Sequence, residues 1–146
     1  MIDAFTPKSP PLTRIDEHST TQNTLFELSD FPLLDVEVGL KTTGTTELLA
    51  DMLRFLLNES LPQDLILLNE AYVAQDWDKV QHLAHKIKGG AVYVGTVKMS
   101  IACQYFERYQ KSGETLLLDS LYQQTRMVIN DTIAHVSHWL ESYSSN

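Results

Sequence analysis

From about residue 33 onward, apolar residues recur at spacings of three and four with almost no strict alternation, the pattern of amphipathic helices packed on one another. A short first segment, Leu33–Leu40, runs into Lys41-Thr42-Thr43-Gly44, where a turn is predicted. Thr45 or Thr46 can cap the next helix, with Glu47 in its first turn, where a carboxylate complements the helix dipole. That helix is predicted to reach about Asn58. Ser60 then precedes Leu61-Pro62, and proline is tolerated in a first helical turn, so a separate helix is predicted from here to about Ala74. Asp76 is a suitable cap for a helix from Trp77 to about Val94, which Gly95 breaks. Another follows from Thr96 to about Lys111, then a turn at Ser112-Gly113 and a long last helix over about Thr115 to Ser142.

Within the Trp77–Val94 segment, Val80, Leu83, Ala84, Ile87, Ala91 and Val94 fall on one stripe, and the last helix carries a similar stripe from Leu118 to Leu140. Helices joined by such short connections pack best as antiparallel neighbours. The predicted fold is therefore all-α: an up-and-down antiparallel four-helix bundle with one or two short N-terminal helices laid across it. No repeat period supports a solenoid.

Composition adds boundaries to this picture. All five prolines lie in the first 62 residues. Residues 1–30 combine three of them with the polar run Ser19-Thr20-Thr21-Gln22-Asn23-Thr24, and so read as a flexible tail or interdomain linker preceding a bundle domain over residues 31–146. At 146 residues the chain suits one domain, and 43% apolar content is enough for a real core. A net charge of −8 argues against nucleic acid or an anionic membrane surface as partner, since both reward clustered Lys and Arg. No apolar run approaches a membrane span, and Met1-Ile2-Asp3-Ala4 does not open a signal peptide, so direct membrane insertion is not expected. The single cysteine, Cys103, excludes an internal disulfide framework and fits a reducing, cytoplasmic setting.

The stretch Ala84-His85-Lys86-Ile87-Lys88-Gly89-Gly90-Ala91-Val92-Tyr93-Val94-Gly95 has two features that packing alone does not explain. His85 sits roughly 140–150° from the centre of its helix's apolar stripe, so it faces solvent. Gly89 lies one turn further along that face, with His82, Lys88 and Val92 beside it. An interior helical glycine costs about 1 kcal/mol relative to alanine, so a Gly89-Gly90 pair is worth keeping only where another surface must approach closely. Charge is the second feature. No acid occurs between Asp78 and Glu107, whereas Lys79, Lys86, Lys88 and Lys98 do. A positive island in an acidic protein would attract an anion or an acidic partner.

Leu83-Ala84-His85-Lys86-Ile87-Lys88-Gly89, followed by Gly95, resembles the Ala-His-x-x-Lys-Gly signature of histidine-containing phosphotransfer (HPt) domains, closest to those at the C-termini of hybrid sensor histidine kinases. The resemblance extends through most of residues 33–142. It implies a phosphoryl carrier in a multistep two-component phosphorelay, accepting a phosphoryl group on His85 from an aspartyl phosphate and passing it to another receiver domain. The expected partners are receiver domains of response regulators and of a hybrid sensor kinase, approached by a monomer. The resemblance further implies that Nε2 is the nucleophile and that a polar residue on the neighbouring helix accepts from Nδ1. Glu107 matches that position, roughly 120° from the core centre on the helical count, and Gln104 is the reserve. Lys88, and Lys86 more weakly, would offset phosphoryl charge. Receiver docking is expected over Lys86, Gly89, Val92, His82 and Gln104. No cofactor is expected in this chain, Mg²⁺ being supplied by the receiver. No Gly-x-x-x-x-Gly-Lys loop or other nucleotide cradle appears, so a carrier without its own ATP site is predicted.

Two other readings compete. His82-x-x-His85 and His135-x-x-His138 have i, i+3 spacing, and bundles can bind metals between helices. All four histidines lie off the apolar stripes, however, whereas bundle-core ligands project inward. The other rival is a helical interaction module that is never phosphorylated, against which His85, Lys88 and Gly89 all speak.

Overall fold

The computed structural model describes residues 24–145, and every regular element among them is helical. Helix α1 spans Val36–Thr43 and α2 spans Thr46–Phe55; a π-helical turn over Leu56–Ser60 leads into α3, Leu61–Val73. Helices α4 (Trp77–Tyr93), α5 (Val97–Lys111) and α6 (Leu118–Ser145) follow.

Local chemistry accounts for most of these boundaries. Asp35 caps α1 by accepting from the Val38 amide, Thr45 caps α2 by accepting from Leu48, and Asp76 caps α4 by accepting from Lys79. Gly44, Gly95 and Gly113 end α1, α4 and α5 with φ of 92°, 79° and 89°, backbone that a side chain would strain. Gly95 also meets the backbone of α1: its amide oxygen accepts from Asp35 at 2.8 Å, and a Cβ there would stand 2.8 Å from the Gly39 nitrogen. This close approach seats the short N-terminal helix across the α4–α5 corner.

One predicted boundary is absent. Ser60 is helical (φ −69°, ψ −54°) and its hydroxyl makes no cap, so α2, the π turn and α3 form one rod from Thr46 to Val73. The extra residue in the wide turn accommodates Pro62, which lacks an N–H and crowds the turn before it. The helices predicted over 45–58 and 60–74 are therefore a single bundle member.

The rod, α4, α5 and α6 make the four-helix bundle. Lys86 of α4 reaches Asp64 of the rod, and Asp78 of α4 accepts from Gln110 of α5. At opposite ends of α6, Asp119 accepts from Tyr72 and Ser144 accepts from Arg54. Numbers rise along one helix as they fall along its neighbour, so adjacent members are antiparallel. Leu49, Leu53, Leu61, Leu68, Val80, Met99, Phe106, Leu121, Ile129 and Val136 interdigitate along the axis, all essentially sealed from solvent. Each such apolar side chain contributes about 1.5–3 kcal/mol by leaving water.

The domain boundary drawn at residue 31 falls inside this packing. Leu25 and Leu28 are buried, and the Leu25 carbonyl accepts from Gln124 of α6 at 2.8 Å. Residues 24–30 therefore belong to the bundle; the rest of the predicted tail, residues 1–23, lies outside the described residues.

Candidate functional site

The α4 register that buries Val80, Leu83, Ala84, Ile87 and Ala91 turns His85, Gly89 and Val92 outward. The His85 side chain is 61% exposed. Its Nδ1 lies 2.8 Å from Oε2 of Glu107 on α5, and among the described residues nothing bonds Nε2. Facing an ionised carboxylate, Nδ1 is the donor of this pair, and Nε2 is on the ring's other side.

Glu107 is the hub of the site. Although the helical count puts it on the shoulder of α5, it is only 5% exposed. Four donors from two helices hold it there. Oε1 accepts from Lys88 Nζ at 2.8 Å. Oε2 accepts from Gln81 Nε2 at 3.1 Å and Lys111 Nζ at 3.1 Å, as well as from His85. Burial by itself would raise the carboxyl pKa, but hydrogen bonds from Lys88, Lys111 and His85, with the Lys88 charge, outweigh it and bring the group down to about 2. The carboxylate is thus charged at any physiological pH. Gln104, half-buried one turn before Glu107, makes no hydrogen bond to the ring.

The lysines divide into different roles. Lys88, its side chain 24% exposed, stands against Glu107 on the imidazole's own helix. Lys86 is committed elsewhere: its Nζ contacts both oxygens of the buried Asp64 at 2.8 Å, tying α4 to α3. The positive island read from the chain is accordingly half neutralised, because Lys86 and Lys88 each face a carboxylate distant in sequence. His82 is exposed on the same face, one turn before His85.

Bare backbone adjoins the imidazole. A Cβ built on Gly89 meets nothing within 4 Å, and one on Gly90 meets only Leu56 Cδ1, at 4.0 Å. Packing within the chain thus requires neither glycine. They border an open apolar groove of ≈360 Å³ between α4 and the rod, lined by Met52, Phe55, Leu56, Ser60, Tyr93 and Val94 as well. Phe55 (62% exposed) and Val92 (56%) stand proud beside it. Cys103 lies beneath the site, fully buried, and burial pushes its thiol up to about 12, leaving an inert packing group.

Gln81, Lys111, Asp64 and the rod's contribution to the groove were not among the residues picked out from the chain. Among the described residues no group of three or more His, Cys, Asp or Glu side chains is placed to hold a metal, and His135 and His138 are exposed on α6.

The helical bundle thus presents an exposed imidazole that meets a buried carboxylate through Nδ1 and is flanked by glycine and lysine. The family model for the Hpt domain matches residues 51–139, more than half of the chain, and the protein belongs to that family. Membership places it in two-component phosphorelay signalling and implies interaction with receiver domains. No curated protein and no solved structure matches the chain. No helix among the described residues is long and apolar enough to cross a membrane.

Proposed function

We propose that this protein is a phosphoryl carrier between two receiver domains, accepting the group on His85 Nε2 from an aspartyl phosphate and delivering it to a second receiver's aspartate. The observation that carries this reading is the division of labour on one ring: Nδ1 is engaged by a charged, buried carboxylate, while among the described residues nothing bonds Nε2 and the side chain is mostly exposed.

In the forward step the Nε2 lone pair attacks phosphorus and the bond from phosphorus to the aspartyl oxygen breaks, its electron pair leaving with the carboxylate. The ring becomes a phosphorylated imidazolium that keeps its proton on Nδ1. Glu107 stabilises that positive charge through the same hydrogen bond that orients the ring. Lys88 is within one turn of His85 and offsets charge on the phosphoryl oxygens. Delivery reverses these steps, with a second aspartate as nucleophile. Positioning and charge stabilisation account for nearly all of the catalysis, and the Mg²⁺ and acidic pocket belong to the receiver.

The groove between α4 and the rod supports docking of an apolar element of the receiver, with Gly89 allowing close approach and Val92 and Phe55 supplying contact area. Lys86 and His82 border that surface. The protein acts as a cytoplasmic monomer in this reading. Incubation with phosphorylated receiver domains tests it: phosphate transfers to the chain and is lost in His85→Gln.

A further inference from the structure

The four donors on Glu107 are unevenly shared. Oε1 takes Lys88 alone, whereas Oε2 takes Gln81, His85 and Lys111 together, more donors than its two lone pairs can serve well. The two ammonium groups also differ in position. Lys88 follows His85 by three residues on α4 and shares the face of the reactive ring. Lys111 follows Glu107 by four on α5, a spacing that keeps it within reach of that carboxylate whatever α4 does. A lysine that neutralises an arriving phosphoryl group must leave its existing partner, and a buried carboxylate that loses one of its two ammonium donors is left with an oxygen unpaired, which is costly.

We propose that Lys111 is a positioning residue that takes over from Lys88 on Glu107. As the phosphoryl group forms its bond to Nε2, Lys88 releases Oε1 and turns to the phosphoryl oxygens. Lys111 shifts from crowded Oε2 to vacated Oε1, while Gln81 remains on Oε2. Glu107 thereby keeps one ammonium group, on Oε1, and still accepts the Nδ1–H of the phosphorylated ring, whose positive charge it offsets. The proposal rests on His85 being the phosphoryl acceptor, and adds to it the residue that keeps the second oxygen paired while Lys88 is away.

The test uses the full chain and phosphoramidate, whose phosphorus is attacked by Nε2 as its P–N bond breaks and the nitrogen departs, protonated, as ammonia. Wild type, Lys111→Met, Lys111→Arg and Lys88→Met are compared by ³¹P NMR for phosphohistidine lifetime and by imidazole ¹⁵N NMR for the Nδ1 proton. Before phosphorylation, Lys111→Met retains the wild-type Nδ1–H signal, because Lys88 still holds Glu107. After phosphorylation, its Nδ1 signal departs from wild type and the phosphohistidine lifetime changes by about fivefold, the scale one exposed lysine–carboxylate pair supports; Lys111→Arg restores both. Two results overturn the proposal: Lys111→Met matching wild type after phosphorylation, or already losing the Nδ1–H contact before it, which makes Lys111 a static support. A wild-type chain that takes no phosphate on His85 instead overturns the carrier reading beneath it.

Discussion

His85 of α4 and Glu107 of α5 meet through Nδ1 and Oε2 at 2.8 Å, with the imidazole mostly in solvent and the carboxylate buried beneath it. This pairing orients a surface histidine: the buried partner engages Nδ1, and the opposite edge of the ring is left exposed.

Acid should expose the cost of that buried charge. The Glu107 carboxyl is lowered from 4.5 to about 2 in the folded chain. A group with a depressed folded pKa contributes stability that is complete above its unfolded value and is lost as pH falls toward its folded one. Between about pH 5 and pH 2, wild type should therefore lose on the order of 2–3 kcal/mol that Glu107→Gln does not. Denaturant titrations of both proteins across this window check it; parallel curves would show that Glu107 is not the group responsible.

The same side chain should separate stability from transfer. Glu107→Ala removes the acceptor from Gln81, His85, Lys88 and Lys111 together, and should destabilise the bundle by about 1–3 kcal/mol. Its phosphotransfer should slow at least tenfold, measured under conditions where the variant is still folded, because the Nδ1 proton loses its partner.

Gly89 offers a test of the approach surface. Since a Cβ there meets nothing, Gly89→Ala should raise stability by about 0.5–1 kcal/mol through helix propensity. Gly89→Gln should also fold, yet weaken receiver binding at least tenfold by standing over the groove. Calorimetric melting together with receiver titration checks both; unchanged affinity in the glutamine variant would remove the glycine from the docking surface.

Gly95 should behave oppositely. Its φ of 79° and its contact with α1 leave no room for a side chain, so Gly95→Ala should cost more than about 2 kcal/mol, measured by chemical denaturation.

Much of this architecture was legible in the chain because local chemistry states it directly. Asp76 followed by Trp77 announces the start of α4, Gly95 its end and Gly113 the end of α5, and the stripe from Val80 to Ala91 fixes which side of α4 carries His85. What escaped depends on distance in sequence. The π turn at Leu56–Ser60 left no signal apart from a proline that reads equally well as a helix start. Gln81 joins the site only through the rotation of α4 against α5, which no single-helix pattern specifies, whereas Lys111 follows Glu107 by four residues on one helix and was readable from that spacing. Asp64 was the most readable omission: a carboxylate between Leu61 and Leu68 on a buried face needs a cation, and Lys86 is the one it found. Leu25 and Leu28 were missed because the prolines and the polar run of residues 1–30 set the reading of that segment, and a single three-residue spacing did not offset it.

The central claim, that His85 Nε2 carries the phosphoryl group, is tested most directly by incubating the protein with phosphorylated receiver domains and locating the transferred phosphate by mass spectrometry. The account predicts acid-labile phosphate on His85, and none on a His85→Gln variant that melts within about 2–4 °C of wild type. Phosphate on His82 or another residue, or no transfer from any receiver, would contradict it.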